Sequence, residues 1–156
     1  MKAIGFNRPL PVSNPEALLD IELPEPELRP HDILVAVQAV SVNPVDVKVR
    51  AAHTSEAGAY RVLGYDAAGI VQAVGSEVRN FKVGDEVYYA GALNRQGSNA
   101  QLQAVDARIA AKKPHSLDFA QAAALPLTAI TAWETLFDRL DVNKPVAGGA
   151  NALLLI

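Results

Sequence analysis

The chain has 156 residues, half of them hydrophobic and a fifth charged, with a net charge of −3. That length holds one domain with a sizeable core and a short extension. The balance gives no electrostatic case for nucleic acid or an anionic membrane surface, and no apolar stretch is long enough to span a bilayer. Cysteine is absent, which excludes disulfides, thiolate nucleophiles and Cys-based zinc sites. His31, His53 and His115 stand far apart with no metal-ligand spacing. No apolar signal core follows Lys2, so a cytoplasmic location is expected.

Residues 1–6 read as a first strand, and the proline-rich stretch 7–15 as a loop. Residues 17–23 partly alternate and predict a second strand, after which Pro24, Pro26 and Pro30 mark an extended crossing. Residues 32–42 carry the strongest strand signal, with Ile33, Val35 and Val37 on one face. Asn43-Pro44 then predicts a helix start, because Asn caps well and Pro suits the first helical position; the helix runs to about Ala52. Residues 58–64 read as a loop and 67–74 as a strand closed by a turn at Gly75. A second turn, residues 81–85, leads into a strand over 86–89, with further short strands at 98–105 and 109–112.

The pattern changes after Pro114. Ser116 is a plausible cap for a helical run that Pro126 breaks. Residues 128–140 predict another helix, with Ile130, Trp133, Phe137 and Leu140 at helical spacing. Residues 141–151 form a loop with a turn at Gly148-Gly149, and residues 152–156 are a continuous apolar run of the kind a buried parallel strand shows. Many short strands followed by helices and one buried strand predict a mainly β fold that opens into an α/β unit.

Four segments in this order resemble the medium-chain dehydrogenase/reductase superfamily. They are Asp32-Ile-Leu-Val-Ala-Val-Gln-Ala-Val-Ser-Val-Asn-Pro-Val-Asp46, Gly64-Tyr-Asp-Ala-Ala-Gly-Ile-Val-Gln-Ala-Val-Gly75, Phe81-Lys-Val-Gly-Asp-Glu-Val87, and the stretch from Ala122 to Leu136. The nearest pattern is the quinone-oxidoreductase-like branch, in the group named zinc-type alcohol dehydrogenase-like. The resemblance implies a GroES-like, partly open β-barrel over residues 1–125. It also implies a connecting helix and the first strand of a truncated Rossmann domain over 126–156. The glycine-rich phosphate loop would follow that strand, so the chain is expected to be an inactive catalytic-domain fragment.

In zinc-dependent relatives, Cys, His or Glu, and a second Cys hold the catalytic metal and leave one position open. The matching positions here are Asn43, Tyr65 and Leu127. Tyr65 ligates only as a phenolate and Leu127 not at all, so no metal is expected. The cysteines of a structural zinc lobe are also missing from residues 90–99. Without a Lewis acid, alcohol oxidation loses its means of lowering the alcohol pKa. Reduction of a quinone or an α,β-unsaturated carbonyl needs only hydrogen-bond donors for a dispersed negative charge. The resemblance therefore implies an NADPH-dependent, zinc-independent reductase.

The expected catalytic residues are Tyr65, as donor to the substrate oxygen, and Asn43. Asn43, Thr131 and Arg50 are the expected cofactor contacts. Each has a plainer reading beside it. Asn43 suits a helix cap, and Tyr65 an amphipathic residue at the barrel edge. Thr131 suits a helical threonine bonding back to a carbonyl. Asp46 and Arg50 suit a surface pair across one turn. Asp66 is expected to bond local backbone or Arg50, and the Trp133, Phe137, Leu140 stripe to be core at an interdomain region. Expected partners are a small-molecule carbonyl or quinone substrate and, for the longer protein, a second copy of itself. Nucleic acid and membrane are not expected. The competing functions are a zinc-dependent alcohol dehydrogenase and a stand-alone GroES-like binding or assembly module, the latter resting on fold analogy alone.

Overall fold

The computed structural model describes residues 1–55 and 58–144. The loop after residue 144 and the apolar run 152–156, with the turn at Gly148-Gly149, lie outside them. No helix among the described residues is long and apolar enough to cross a membrane.

Eight strands form two antiparallel sheets rather than a closed barrel. The strands are β1 (Lys2–Phe6), β2 (Leu19–Glu22), β3 (Asp32–Ser41), β4 (Arg61–Val62), β5 (Asp66–Val74), β6 (Glu86–Ala90), β7 (Leu102–Asp106) and β8 (Ala110–Lys112). The smaller sheet has the order β2-β1-β4 and the larger β7-β3-β5-β6-β8. A bridge between Ala3 of β1 and Ala100, in the segment leading into β7, ties the two sheets together, and the Ile4 N–H donates to the Asn99 carbonyl beside it.

Alternation along β3 and β5 builds the core. Ile33, Val35, Ala67 and Val71 point inward with Val87, Tyr89 and Val105 from the neighbouring strands, and Val78 and Phe81 close the cluster from the turns between β5 and β6. Burial pushes the Tyr89 phenol well above its ordinary pKa, so it stays neutral and donates to Gln103 Oε1 at 2.8 Å. Val37 packs against the same cluster while partly buried. Register shifts after Leu34 and Val37 let β3 bend along β5.

Three helices complete the described residues. Helix α1 (Pro44–Ala52) starts at Pro44 as its sequence predicts. Helix α2 (Phe119–Ala123) is capped by Asp118, not by Ser116: the Asp118 carboxylate accepts from the Gln121 N–H, and Gln121 Oε1 accepts from the Asp118 N–H. Ala122 and Ala123 are small enough to lie directly on Ala68 of β5. Pro126 does not merely break a run. It occupies the first position of α3 (Pro126–Trp133), where its missing N–H costs nothing. A π-helical turn, Glu134–Arg139, continues from α3, so the single helix expected over 128–140 divides in two.

Two shorter elements were also outside the sequence reading. Residues 61–62 pair with Gly5 and Phe6 as β4 inside the expected loop. Residues 107–109 form a 3₁₀ turn before β8. The strand expected over 98–105 is confined to Leu102–Asp106.

Candidate functional site

Four segments meet at one end of the larger sheet: the start of α1, the start of β5, the residues after β6 and the first turn of α3. Their sequences explain how they lock together. Asn43, just before α1, has an extended backbone. Its N–H donates to Asp46 Oδ2 at 2.8 Å, one half of a capping arrangement. The other carboxylate oxygen of Asp46 accepts from the Gly64 N–H at 2.9 Å. Asp46 is buried and fastens α1 to the approach of β5. The expected surface pair with Arg50 does not form, because the Asn43-x-x-Asp46 spacing turns the carboxylate back onto the helix start. Arg50 instead donates to the Leu10 carbonyl at 2.7 Å and ties α1 to the loop between β1 and β2.

Gly64 adopts φ +102, and a Cβ there would lie 2.4 Å from Ser98 Oγ and 2.8 Å from the Asn99 nitrogen. Only glycine meets both demands without strain. Tyr65 follows, with its carbonyl accepting from the Gly91 N–H at 2.6 Å. Asp66 then joins the two remaining segments. Its Oδ2 accepts from Asn43 Nδ2 at 2.9 Å, and its Oδ1 accepts from the Leu127 N–H at 2.9 Å. Burial raises the Asp66 pKa above its ordinary value. The hydrogen bonds from Asn43 and Leu127 pull against that rise, and the nearby charge of Asp46 adds to it. The positions matched to Asn43, Tyr65 and Leu127 thus converge in space, joined by a carboxylate whose bridging role the sequence did not reveal. Its place beside Tyr65 was the only signal.

A cavity of about 330 Å³ opens here, lined by Val45, Tyr65, Ala90, Gly91, Leu93 and Leu127. Five of those six residues are aliphatic or glycine. Tyr65 is 3% exposed, and its hydroxyl, shielded from solvent, has no hydrogen-bond partner among the described residues. Buried phenols normally find one. A hydrogen-bond donor on an otherwise apolar wall is the usual make-up of a small-molecule site.

Thr131 lies on an exposed part of α3, and its hydroxyl donates back to the Leu127 carbonyl at 2.9 Å. That is the plainer of its two readings, and it leaves the hydroxyl oxygen free to accept. Asn43 spends a side-chain N–H on Asp66, and its side chain also accepts from the Asp46 N–H in the capping arrangement. The structure therefore brings Asn43 and Tyr65 together through neighbouring Asp66, and sets Arg50 and Thr131 on separate helices. The cavity walls Ala90, Gly91 and Leu93 were not singled out by sequence, because nothing local marks the segment after β6 as facing Tyr65.

Leu127 offers no donor atom, Asn43 aims an N–H at Asp66, and Tyr65 would have to ionise to ligate. These residues do not fit a catalytic zinc site.

Residues 29–115 match the alcohol dehydrogenase GroES-like domain family. Over its whole length the chain is 44% identical to a zinc-type alcohol dehydrogenase-like protein of Staphylococcus aureus (strain COL), of which it covers 46%. It is 37% identical over 88% of its length to the chloroplastic NADPH-dependent alkenal/one oxidoreductase of Arabidopsis thaliana, covering 39% of that protein. Among solved structures, it matches a protein of Rhizobium etli CFN 42, solved as a candidate zinc-dependent alcohol dehydrogenase. There the TM-score is 0.91 and the identity 61%, over 96% of this chain and 44% of that one. The Escherichia coli quinone oxidoreductase complexed with NADPH is matched with a TM-score of 0.71 and 27% identity, over 90% of this chain and 41% of that one. The chain spans less than half the length of each.

Proposed function

The chain belongs to the alcohol dehydrogenase GroES-like family, within the medium-chain dehydrogenase/reductase oxidoreductases, and from that premise we propose that it is the catalytic domain of an NADPH-dependent, zinc-independent reductase of quinones or α,β-unsaturated carbonyls. Residues 1–125 form that domain, and 126–156 lead from it into a nucleotide-binding domain. The observation that carries the reading is that Tyr65, whose solvent-shielded hydroxyl has no partner among the described residues, lines an apolar cavity.

NADPH, when bound, supplies the hydride. The work of this chain's residues is to receive the substrate and stabilise the charge that follows. The aliphatic walls from Val45, Leu93 and Leu127 take a flat, apolar substrate and exclude water. Tyr65 donates a hydrogen bond to the carbonyl oxygen, which strengthens as negative charge grows on it. No acceptor among the described residues competes for the Tyr65 proton. A proton from solvent, admitted as the product leaves, then completes the reduction, on the α-carbon of the enolate or on the hydroquinone oxygen. The Asn43 amide oxygen and the Thr131 hydroxyl oxygen can accept from a carboxamide, and the remaining N–H groups of Arg50 can face a cofactor phosphate. The donor chemistry at Asn43, Tyr65 and Leu127 supports a reaction with no metal step.

The test is NADPH oxidation by the longer protein that carries this domain, with 9,10-phenanthrenequinone and with an enone, in the presence and absence of a chelator. Chelator-insensitive turnover is expected. Tyr65→Phe should lower kcat about 100-fold, the scale for losing one donor to a developing oxyanion. The same change should leave stability within about 1 kcal/mol, since the lost hydroxyl had no partner. Turnover abolished by chelator and restored by zinc overturns the metal-free reading. Unchanged kcat in Tyr65→Phe overturns the donor role.

A further inference from the structure

We propose that a second cavity, at the seam between the two sheets and apart from the Tyr65 site, binds a small oxyanion of charge two or more through Arg61 and Arg29. The cavity measures about 390 Å³. Arg61 and Val62 of β4 line one side, Leu102, Gln103 and Ala104 of β7 another, and Arg29, Arg95 and Gln96 lie between. Three arginines thus face it against one lining acid, Glu27, in a chain whose net charge is −3. The local sign is opposite to that of the molecule.

Several polar groups of this cavity are already engaged within the protein. Arg95 donates to both carboxylate oxygens of Asp32, at 2.9 and 2.5 Å. Burial pushes the Asp32 pKa up, and Arg95, helped by the backbone N–H and the charge of Arg29, outweighs that push to hold it below its ordinary value. That arginine is spent. Gln96 accepts from the Val62 N–H at 2.8 Å and donates to the Tyr60 carbonyl at 2.9 Å. Gln103 donates to the Gln96 carbonyl at 3.0 Å and accepts from Tyr89. Arg61 differs. One terminal nitrogen donates to the Leu93 carbonyl, while its Nε is shielded from solvent with no partner among the described residues. Arg29 has an exposed guanidinium with no side-chain hydrogen bond or ion pair among the described residues.

A desolvated guanidinium N–H without an acceptor is an exception in folded proteins. The rigid fork of donors on arginine matches the paired oxygens of carboxylate and phosphate. With Arg95 neutralised by Asp32 and Gln96 and Gln103 committed to the walls, Arg61 and Arg29 carry the arginine donors that are left. A compact anion seated between them would offset both charges and take the guanidinium N–H groups that the protein leaves open to the cavity. Two points of charge rather than one favour a multiply charged ligand.

Isothermal titration of the chain with inorganic phosphate and, separately, with citrate at low ionic strength tests this. One equivalent should bind. Binding of phosphate alone assigns the site to tetrahedral anions, and binding of citrate assigns it to carboxylates; either supports the proposal. Arg61→Gln should weaken the binding at least about tenfold, the loss of one good charge-assisted contact. Arg29→Gln, on an exposed side chain that leaves the fold intact, should weaken it less. Arg108→Gln, whose arginine pairs with Asp106 outside the cavity, should leave it unchanged. Absence of binding, or equal weakening by Arg108→Gln and Arg29→Gln, overturns the site. Arg61→Lys, which keeps the charge and loses the fork, should also weaken binding if Arg61→Gln fails to fold.

Discussion

At the scale of single residues, Asp66 holds the candidate site together. Its two carboxylate oxygens take one N–H each from Asn43 and Leu127, groups that belong to α1 and α3 and are 23 and 61 residues away in sequence. Asp66→Ala leaves both donors buried with nothing to accept them. Each unpaired buried donor costs about 1–3 kcal/mol, so the variant should lose about 2–6 kcal/mol in a urea unfolding experiment. A loss below about 1 kcal/mol would mean that water enters and replaces the carboxylate, and that the site is wetter than its aliphatic walls indicate. Sequence placed Tyr65 and Asn43 correctly beside this residue through the motif they share with the family. It assigned Asp66 to local backbone or Arg50, because a contact across 61 residues leaves no periodic trace. Asp46 was misjudged for a different reason. Only its i,i+4 pair with Arg50 was weighed from sequence, whereas the spacing from Asn43 also suits a cap, and the bond from the buried Gly64 N–H fixes the carboxylate there.

At the scale of elements, the strands with strong alternation were legible and the weakly encoded ones were not. Ile33 and Val35 declare β3 by themselves, since their face is the core. Strand β4 has two residues, and only its pairing with Gly5 and Phe6 defines it. The start of α2 was open to reading: Asp118 followed three residues later by Gln121 is a capping signal, stronger than Ser116 alone. Pro126 reads equally as a stop or a first helical position, and the α3 backbone selects the second. The segment from Gly64 to Asp66 joins these elements, and its geometry depends on one glycine. Gly64→Ala forces a side chain into φ +102 and against Ser98 and Asn99. Strain at such a backbone costs about 1–3 kcal/mol, before the displaced Gly64 N–H weakens its bond to Asp46. We expect a fall in thermal midpoint with loss of amide protection at Gly64 by hydrogen exchange. A Gly58→Ala control also sits at positive φ, with φ +82, but meets nothing within 4 Å. It should therefore cost less, and equal losses for both would assign the effect to backbone strain alone.

At the scale of the whole molecule, the balance of buried and exposed apolar surface changes along the chain. The β sheets bury their large side chains, whereas α3 and the turn after it do not. Trp133 is 63% exposed and Leu140 56%, with Ile130 also exposed. Of the expected apolar stripe, Phe137 alone is partly buried, and its ring lies 4.5 Å from that of Trp133. An apolar run of this size on one face is unusual for a free surface, and under the proposed division at residue 126 this is the helix that leads towards the nucleotide-binding domain. Trp133 is the only tryptophan of the chain, so its fluorescence reports this face without interference. Acrylamide should quench the emission of the 156-residue chain efficiently, as for an indole in water. In the longer protein the same quencher should act less, because the neighbouring domain covers α3. Weak quenching of the chain itself, diminishing as it is concentrated, would instead mean that two copies cover the face between them. Equal, strong quenching of both proteins would place the domain contact elsewhere and remove α3 from the interface, while leaving the Tyr65 cavity and its chemistry as they stand.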